Sequence, residues 1–302
     1  MSVDVKLLEA FRAVMDNQSV TGAARMLGLT QPAVSAQIAR LEAQVGFELF
    51  ERTGGRLKAT ERGRRLYREV LTVLGSIDRL ADVARNIRSG ETETLVVASH
   101  PGASIALLPG VVKTLLETRP EARIRMINRT SEEVGAIFEA GGADVGVAEW
   151  PIHLHGVELQ RYALDAVAIL PARHPLAARE AVTAEDLAAA PMLAMSDARL
   201  PGHRLRGVFG DAGARFAPVA ESEYFSTLCL LVAAGAGVSV VDPLTARSLA
   251  PLGFAIRGFT PTLPYEIGVF RRGSVAPTPL SDALVAAIDA FILENGGRRV
   301  GR

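Results

Sequence analysis

Residues 19–45 constrain this chain more than any other stretch, because they carry the punctuation of two short helices meeting at a sharp angle. Ser19 offers an N-cap, Thr21 to Leu27 reads as a short helix, and Gly28 stands where the chain must turn. Thr30 caps the next helix, with Pro32 in its first turn, where a missing N–H costs nothing. Ala24 is small where the two helices must approach, and Val34 plugs the angle between them. Ahead of the pair, Leu7, Leu8, Phe11 and Val14 recur at helical spacing. Val34, Ile38, Leu41 and Val45 form one apolar stripe, which leaves Gln31, Ser35, Gln37 and Arg40 largely on other faces. This is the pattern of a helix-turn-helix, whose second helix enters the DNA major groove and offers its early residues to base edges. Gln31 can bond adenine through two hydrogen bonds, and Ser35 is adaptable. The competing reading is an ordinary helical hairpin with a polar outer face.

The residues that follow weigh against that hairpin. Phe50 to Thr60 reads as two short strands around Gly54-Gly55, and Arg52 to Arg68 holds seven basic residues against one acid, Glu61. A basic hairpin beside a helix-turn-helix can serve as a wing whose cations rest on phosphates. Arg52, Arg56 and Lys58 are its candidates, and Thr30, Gln31, Pro32, Ser35, Gln37 and Arg40 are those of the recognition helix. Thr60 then caps a long helix to about Arg88. Leu66, Val70, Val73, Ile77, Leu80, Ala84 and Ile87 alternate spacings of four and three along it, a heptad seam that suits a partner helix and so a dimer. Ser89-Gly90 ends it.

Ala23-Ala24-Arg-Met-Leu27, Thr30-Gln31-Pro32-Ala33-Val34-Ser35, Ile38-Ala-Arg-Leu41-Glu42, Gly46, Leu49-Phe50-Glu-Arg52 and Thr60 together resemble the N-terminal domain of LysR-type transcriptional regulators. The resemblance implies DNA contacts from Gln31, Pro32 and Ser35 on the recognition helix and from Arg52 on the wing. It also implies a long linker helix over residues 60 to 88.

From Thr94 the pattern changes to short apolar strands alternating with helices. Leu95–Ala98, Ile124–Ile127 and Asp144–Ala148 are strands separated by helices over Ile105–Glu117 and Ser131–Ala140, an order that predicts a parallel sheet. A second set follows, with strands at Val167–Leu170, Met192–Met195, Val219-Ala220 and Val238–Val241 and a helix over Phe225–Ala234. A strand at Ile267–Phe270 and a helix over Leu280–Leu293 close the chain. Two α/β lobes with the chain crossing between them enclose a cleft. Ligands of open parallel sheets sit beyond the carboxyl ends of strands, which selects Ser99, His100, Ser104, Arg129 and Thr130, and Glu149 in one lobe. Ser196 and Asp197, Glu223 and Asp242 are selected in the other. Helix starts near Ser99–Ser104 and Thr130-Ser131 favour an anion, and Glu149, Glu223 and Asp242 supply carboxylates. That combination suits a ligand with both an acid and an amine, such as an amino acid.

This half resembles the LysR effector-binding domain in Ala143–Val147 and in the glycine-rich turn Leu231–Pro243. Phe11–Met15, Ile169–Leu176 and Val238–Ala246 look like the branch of lysine-biosynthesis and opine-catabolism regulators, which implies a dibasic amino acid or a related conjugate as effector. His100-Pro101 departs from the family pattern. The fold expected is therefore α/β, with an N-terminal winged helix-turn-helix (1–60), a dimerising linker helix (61–90) and an effector domain of the periplasmic-binding-protein type (91–302). Its first lobe spans about 91–163 and 267–302, and its second about 164–266. The resemblance further implies promoter DNA, a small-molecule effector, a second copy of the chain in a dimer or tetramer, and RNA polymerase as partners, with no cofactor.

Other classes fit less well. Gly235-Ala-Gly237 follows a helix and precedes a strand, the reverse of a dinucleotide fingerprint. His153 and His155 lack a third metal ligand, and Cys229, the one cysteine, reads as a small core residue. A solute-binding protein or enzyme on the two-lobed fold is the alternative, but the helix-turn-helix and an N-terminus without an export signal disfavour it. The longest uncharged run, Tyr224 to Val241, carries Ser226, Thr227, two glycines and Ser239, which argues for a buried helix and strand rather than a membrane span. A cytoplasmic chain is expected. Its formal net charge of zero hides an asymmetry: residues 1–90 hold 14 basic and 10 acidic residues, and the rest 19 and 23.

Overall fold

A computed structural model describes residues 4–53, 56–89, 94–154, 156–272 and 277–301. The chain divides into two units, one of residues 1–93 with 135–144, the other of residues 94–134 and 145–302.

In the first unit the apolar periodicity of the N-terminus becomes a buried helix face. α1 (Val5–Asn17) buries Leu7, Leu8, Phe11 and Val14. α2 (Val20–Leu27) starts beneath Ser19, whose hydroxyl accepts the Gly22 N–H at 3.2 Å, and ends at Gly28 with φ +66°. That left-handed geometry suits glycine and lets its N–H close the last turn of α2 on the carbonyls of Ala24 and Arg25. α3 (Gln31–Val45) is capped by Thr30 and buries Val34, Ile38 and Leu41. β1 (Phe50–Thr53) and β2 (Arg56–Ala59) pair antiparallel, with Phe50 opposite Ala59; Gly54 and Gly55 between them lie outside the described residues. α4 (Glu61–Ser89) follows. Phe11, Val34, Leu41, Leu49, Val70 and Leu74 share one core. Full burial of a side chain such as Val34 contributes about 1.5–3 kcal/mol.

The second unit alternates strands and helices, as the sequence leads one to expect, but its sheets are mixed. β3 (Thr94–Ser99), α5 (Pro101–Ala106), α6 (Leu108–Thr118), β4 (Arg123–Asn128), α7 (Ser131–Glu139, counted with the first unit from residue 135), β5 (Val145–Glu149) and β6 (Val157–Asp165) come first. β7 (Val167–Pro171), β8 (Ala181–Thr183), α8 (Ala184–Ala188), β9 (Met192–Met195), α9 (Leu200–Asp211), β10 (Pro218–Ser222), α10 (Phe225–Ala233), β11 (Ser239–Val241), α11 (Pro243–Leu249) and β12 (Phe254–Thr260) make the second lobe. β13 (Pro264–Arg272), α12 (Pro279–Glu294) and β14 (Arg298–Val300) return to the first.

The first lobe's sheet has the order β14-β6-β13-β5-β3-β4. The expected parallel β3, β4 and β5 form one side of it, and β13, β6 and β14 extend it antiparallel. The second lobe carries β11-β7-β12-β8, in which β7 is antiparallel to both neighbours, and a parallel β9–β10 pair. A bridge between Met192 and Val238 joins these. The parallel arrangement expected of β3, β4 and β5 is found, and the antiparallel strands beside them and around β7 are the additions. The reason is connectivity: β6 and β13 enter and leave the second lobe side by side, and strands so linked run antiparallel. At the crossing the Ala166 N–H bonds the Leu263 carbonyl at 2.9 Å.

Candidate functional site

The recognition helix is built by its buried face. With Val34 and Leu41 fully buried in α3, Gln31, Pro32 and Arg40 are left exposed and Ser35 and Gln37 half-buried. Thr30 accepts the Ala33 N–H at 3.4 Å, so its hydroxyl is committed to starting the helix. Gln31 Nε2 reaches Ser35 Oγ at 3.4 Å, which ties together the two side chains singled out for base contact. Glu42 Oε1 accepts the Leu49 N–H at 2.7 Å and so anchors the base of the hairpin. Thr60 holds the far side, donating to the Glu48 carbonyl at 2.8 Å and accepting the Gly63 N–H at 2.9 Å. Gly63 is a constraint the sequence reading missed: a Cβ there would lie 2.2 Å from the Leu49 carbonyl oxygen. Lys58 is exposed on β2, whereas the side chains of Arg52 and Arg56 lie outside the described residues.

The heptad seam of α4 divides. Val70 is buried and Leu66 packs on the same core as α1 and α3, so these two serve the first unit itself rather than a second copy. Leu74, off the expected seam, is buried there too. Further along, Val73, Ile77 and Leu80 are exposed, Leu80 by 68%, and Ala84 is exposed with them. The side chain of Ile87 lies outside the described residues. A strict a/d count could not tell these two uses apart, because a helix packed on a small domain shows the same spacing.

In the second unit, strand ends converge on the space between the lobes. Ser99, fully buried at the end of β3, shares a 2.6 Å hydrogen bond with Ser104. His100 follows, only 3% exposed, and its Nε2 has no hydrogen-bond partner among the described residues. Burial holds its pKa below the ordinary imidazole value, against the pull of nearby Glu149, so the ring is neutral. A Cβ on Gly102 would come 2.9 Å from the His100 ring, so the glycine makes room for it.

Glu149 ends β5 and is the centre of the site. One carboxylate oxygen takes Arg199 at 2.8 Å and the other accepts the Tyr265 hydroxyl at 3.2 Å. Its own N–H donates to Ser131 at 3.1 Å. Arg199 precedes α9 in the second lobe, and Tyr265 opens β13 at the return crossing. Desolvation, reinforced by Glu149 and Asp242, pushes the Tyr265 phenol well above its usual value.

Asp242, at the end of β11, is 2% exposed and caps α11 by accepting the Thr245 N–H at 2.8 Å. Its other oxygen and the Thr245 hydroxyl find no partner among the described residues. Burial pushes Asp242 up to about 6, partly offset by the Thr245 bonds and strengthened by Glu149. Cys229, close enough to feel Asp242, is buried and pushed up to about 12, an inert thiol as expected. Beside the polar cluster, Met195, Pro201, Phe225, Val241 and Tyr265 line a small apolar pocket.

Other expected residues stand apart. Thr130 and Glu133 bond each other reciprocally, Glu133 accepting the Thr130 N–H at 3.0 Å, so the α7 terminus expected to seat an anion already holds a carboxylate. Arg129 is exposed and donates to the Asn128 carbonyl. Ser196 is half-buried and accepts the Ala198 N–H at 3.4 Å, while Asp197 pairs with Arg206. Glu223 is exposed and has no ion-pair partner among the described residues. His153 is exposed, and His155 lies outside the described residues.

The sequence reading did not single out Arg199, Tyr265 or Thr245. Leu200-Pro201 was a usable signal for Arg199, since proline marks a helix start and puts the preceding side chain at its mouth. Nothing local marked Tyr265.

Comparisons with known proteins place both halves of the chain. A family model described as "Bacterial regulatory helix-turn-helix protein, lysR family" matches residues 5–64. A second, described as "LysR substrate binding domain", matches residues 88–291. The "Transcriptional activator protein LysR" of Escherichia coli (strain K12) is 31% identical over 291 residues, covering 96% of this chain and 91% of that protein. The "Regulatory protein NocR" of Agrobacterium fabrum is 30% identical over 291 residues, covering 96% and 97%. Among solved structures, the crystal structure of CbnR, a LysR family transcriptional regulator, has a TM-score of 0.68 at 21% identity and covers 96% of this chain and 99% of that one, a likeness of fold.

Proposed function

Because the chain belongs to the LysR family of DNA-binding transcriptional regulators, we propose that it reads promoter DNA through Gln31, Pro32, Ser35, Gln37 and Arg40 on α3. In this reading Arg52, Arg56 and Lys58 of the hairpin rest on phosphates. The exposed side chains Val73, Ile77, Leu80 and Ala84 of α4 face a second copy, and the dimer reads a two-fold-symmetric operator. Promoter DNA as target makes the chain cytoplasmic; no helix among the described residues is long and apolar enough to cross a membrane.

The cleft of the second unit binds an amino acid or amino-acid derivative. The observation that carries this is the gathering around Glu149 of buried polar atoms, His100 Nε2 and Asp242 Oδ2, that have no partner among the described residues. Native interiors satisfy such atoms, and a cleft that leaves them open has polar work for a ligand. Glu149, Arg199, Tyr265, His100 and Asp242 are the groups that meet it, with Ser99 and Ser104 behind them. Effector binding then shifts the population of lobe arrangements, and with it operator affinity.

The test is fluorescence anisotropy of the full chain with its own promoter region, over a salt series and with each of the twenty amino acids. A specific complex whose affinity falls steeply with salt is expected, and one class of amino acid shifts it. Binding to all DNA alike would remove the operator reading, and indifference to every amino acid would remove the effector reading.

A further inference from the structure

The ion pair between the lobes has the chemistry that a bound effector would duplicate. Glu149 closes β5 in the six-stranded sheet, Arg199 stands before α9 in the other lobe, and 2.8 Å separates them. Their side chains are only 16% and 21% exposed, so parting them without replacement leaves two poorly solvated charges. The surrounding groups cannot step in. Tyr265 already gives its hydroxyl proton to Glu149, and the buried His100 ring is neutral. Asp242 spends one oxygen on the Thr245 amide and, as a carboxylate, can only repel Glu149. Anything that enters between Glu149 and Arg199 must therefore bring a cation for one and an anion for the other.

We propose that the Glu149–Arg199 pair is an internal stand-in for the effector: a ligand bearing a carboxylate and an ammonium group inserts between the two side chains, its carboxylate taking the Arg199 guanidinium and its ammonium taking the Glu149 carboxylate. This rests on the reading of the cleft as the effector site and assigns the two residues that select for charge within it. The swap leaves neither protein charge unpaired, because one direct bond between lobes is exchanged for two bonds routed through the ligand. Arg199 suits the task because its forked donors meet a carboxylate with two parallel bonds. Selectivity follows from what a wrong ligand strands. A diamine satisfies Glu149 but leaves Arg199 unpaired, and a dicarboxylate does the reverse.

The experiment is isothermal titration calorimetry of the full chain at pH 7.5 with L-lysine, cadaverine and glutarate, three probes of similar length that differ in their charged ends. L-lysine is expected to bind at least ten-fold more tightly than either of the others. In Arg199→Gln its advantage over cadaverine disappears, and in Glu149→Gln its advantage over glutarate disappears, while the other advantage survives in each. Thermal melting checks that each variant folds. If Arg199→Gln does not fold, Arg199→Lys replaces it; keeping the charge but losing the fork, it narrows the advantage over cadaverine by at least three-fold. Absence of lysine binding, tighter binding of glutarate or cadaverine, or variants that keep both advantages would each overturn the proposal. A chain that forms a salt-sensitive operator complex yet shows any of these results loses this inference and keeps its standing as a regulator.

Discussion

Replacing Asp242 by Asn should make the protein more stable at neutral pH, an unusual outcome for a buried residue at a helix cap. Asp242 is 2% exposed, and its pKa rises from 3.8 to about 6, chiefly through burial. A raised carboxylate pKa means that the folded protein holds this proton more tightly than the unfolded chain does. The favourable, protonated state is fully present below about pH 3.8. Stability is lost as the pH climbs toward 6, and above 6 the penalty for burying the charge is complete. With ~1.36 kcal/mol for each unit, a rise from 3.8 to about 6 amounts to about 3 kcal/mol at pH 7.5. Asn keeps an oxygen to accept the Thr245 N–H and ranks with Asp as an N-cap, so the α11 cap survives the change. Thermal and urea unfolding of the full chain and of Asp242→Asn at pH 4, 5, 6 and 7.5 would measure it. The variant should be more stable by roughly 2–3 kcal/mol at pH 7.5, and the gain should shrink toward zero near pH 4. A variant less stable at pH 7.5, or a difference that does not change with pH, would show that Asp242 is not a buried, unpaired carboxylate. The same substitution removes a charge from the proposed effector cleft, so its stability gain should come with a weaker effector response.

Three further outcomes follow from the first unit. Gly63→Ala places a methyl 2.2 Å from the Leu49 carbonyl, so α4 must shift off the hairpin base, with a loss of about 1–3 kcal/mol read by urea unfolding; an unchanged midpoint would mean that this junction yields freely. Leu80→Glu puts a charge on the exposed stripe of α4, and sedimentation should show a smaller assembly; an unchanged one would move the self-association surface elsewhere. Gln31→Ala should relax preference at one base pair by about 1–3 kcal/mol and leave the salt slope unchanged, as measured by anisotropy on single-base operator variants. Uniform weakening on all DNA would place Gln31 on phosphate instead.

The legible parts of this protein are those where one local signal has one structural meaning. Ser19, Gly28, Thr30 and Pro32 punctuate α2 and α3 where their side chains and dihedrals require, and Val34 plugs the angle because only that face of α3 is apolar. The strand-end rule led to Ser99, His100 and Glu149 with no ligand in view, because parallel β3 and β5 end on one side, and it led to Asp242 although β11, which precedes it, runs antiparallel to β7. It was less selective for Thr130, whose hydroxyl is committed to its own helix cap, and for Glu223, which stands in solvent. β6 was missed: Glu158 and Arg161 interrupt its apolar pattern because parts of the strand are exposed.

The sequence alone determined that a basic helix-turn-helix head precedes a two-lobed α/β body, since caps, turns and apolar periods are short-range properties that neighbouring residues settle among themselves. Only the tertiary structure decided that Leu66 and Val70 serve their own unit while Val73, Ile77 and Leu80 face outward, because one heptad spacing fits either use. It alone brought Glu149, Arg199 and Tyr265 within hydrogen-bond reach, across separations of 50 and 116 positions. Charge partners so far apart in sequence are chosen by where strands end and how the chain returns between lobes, and no periodicity in the sequence records that choice.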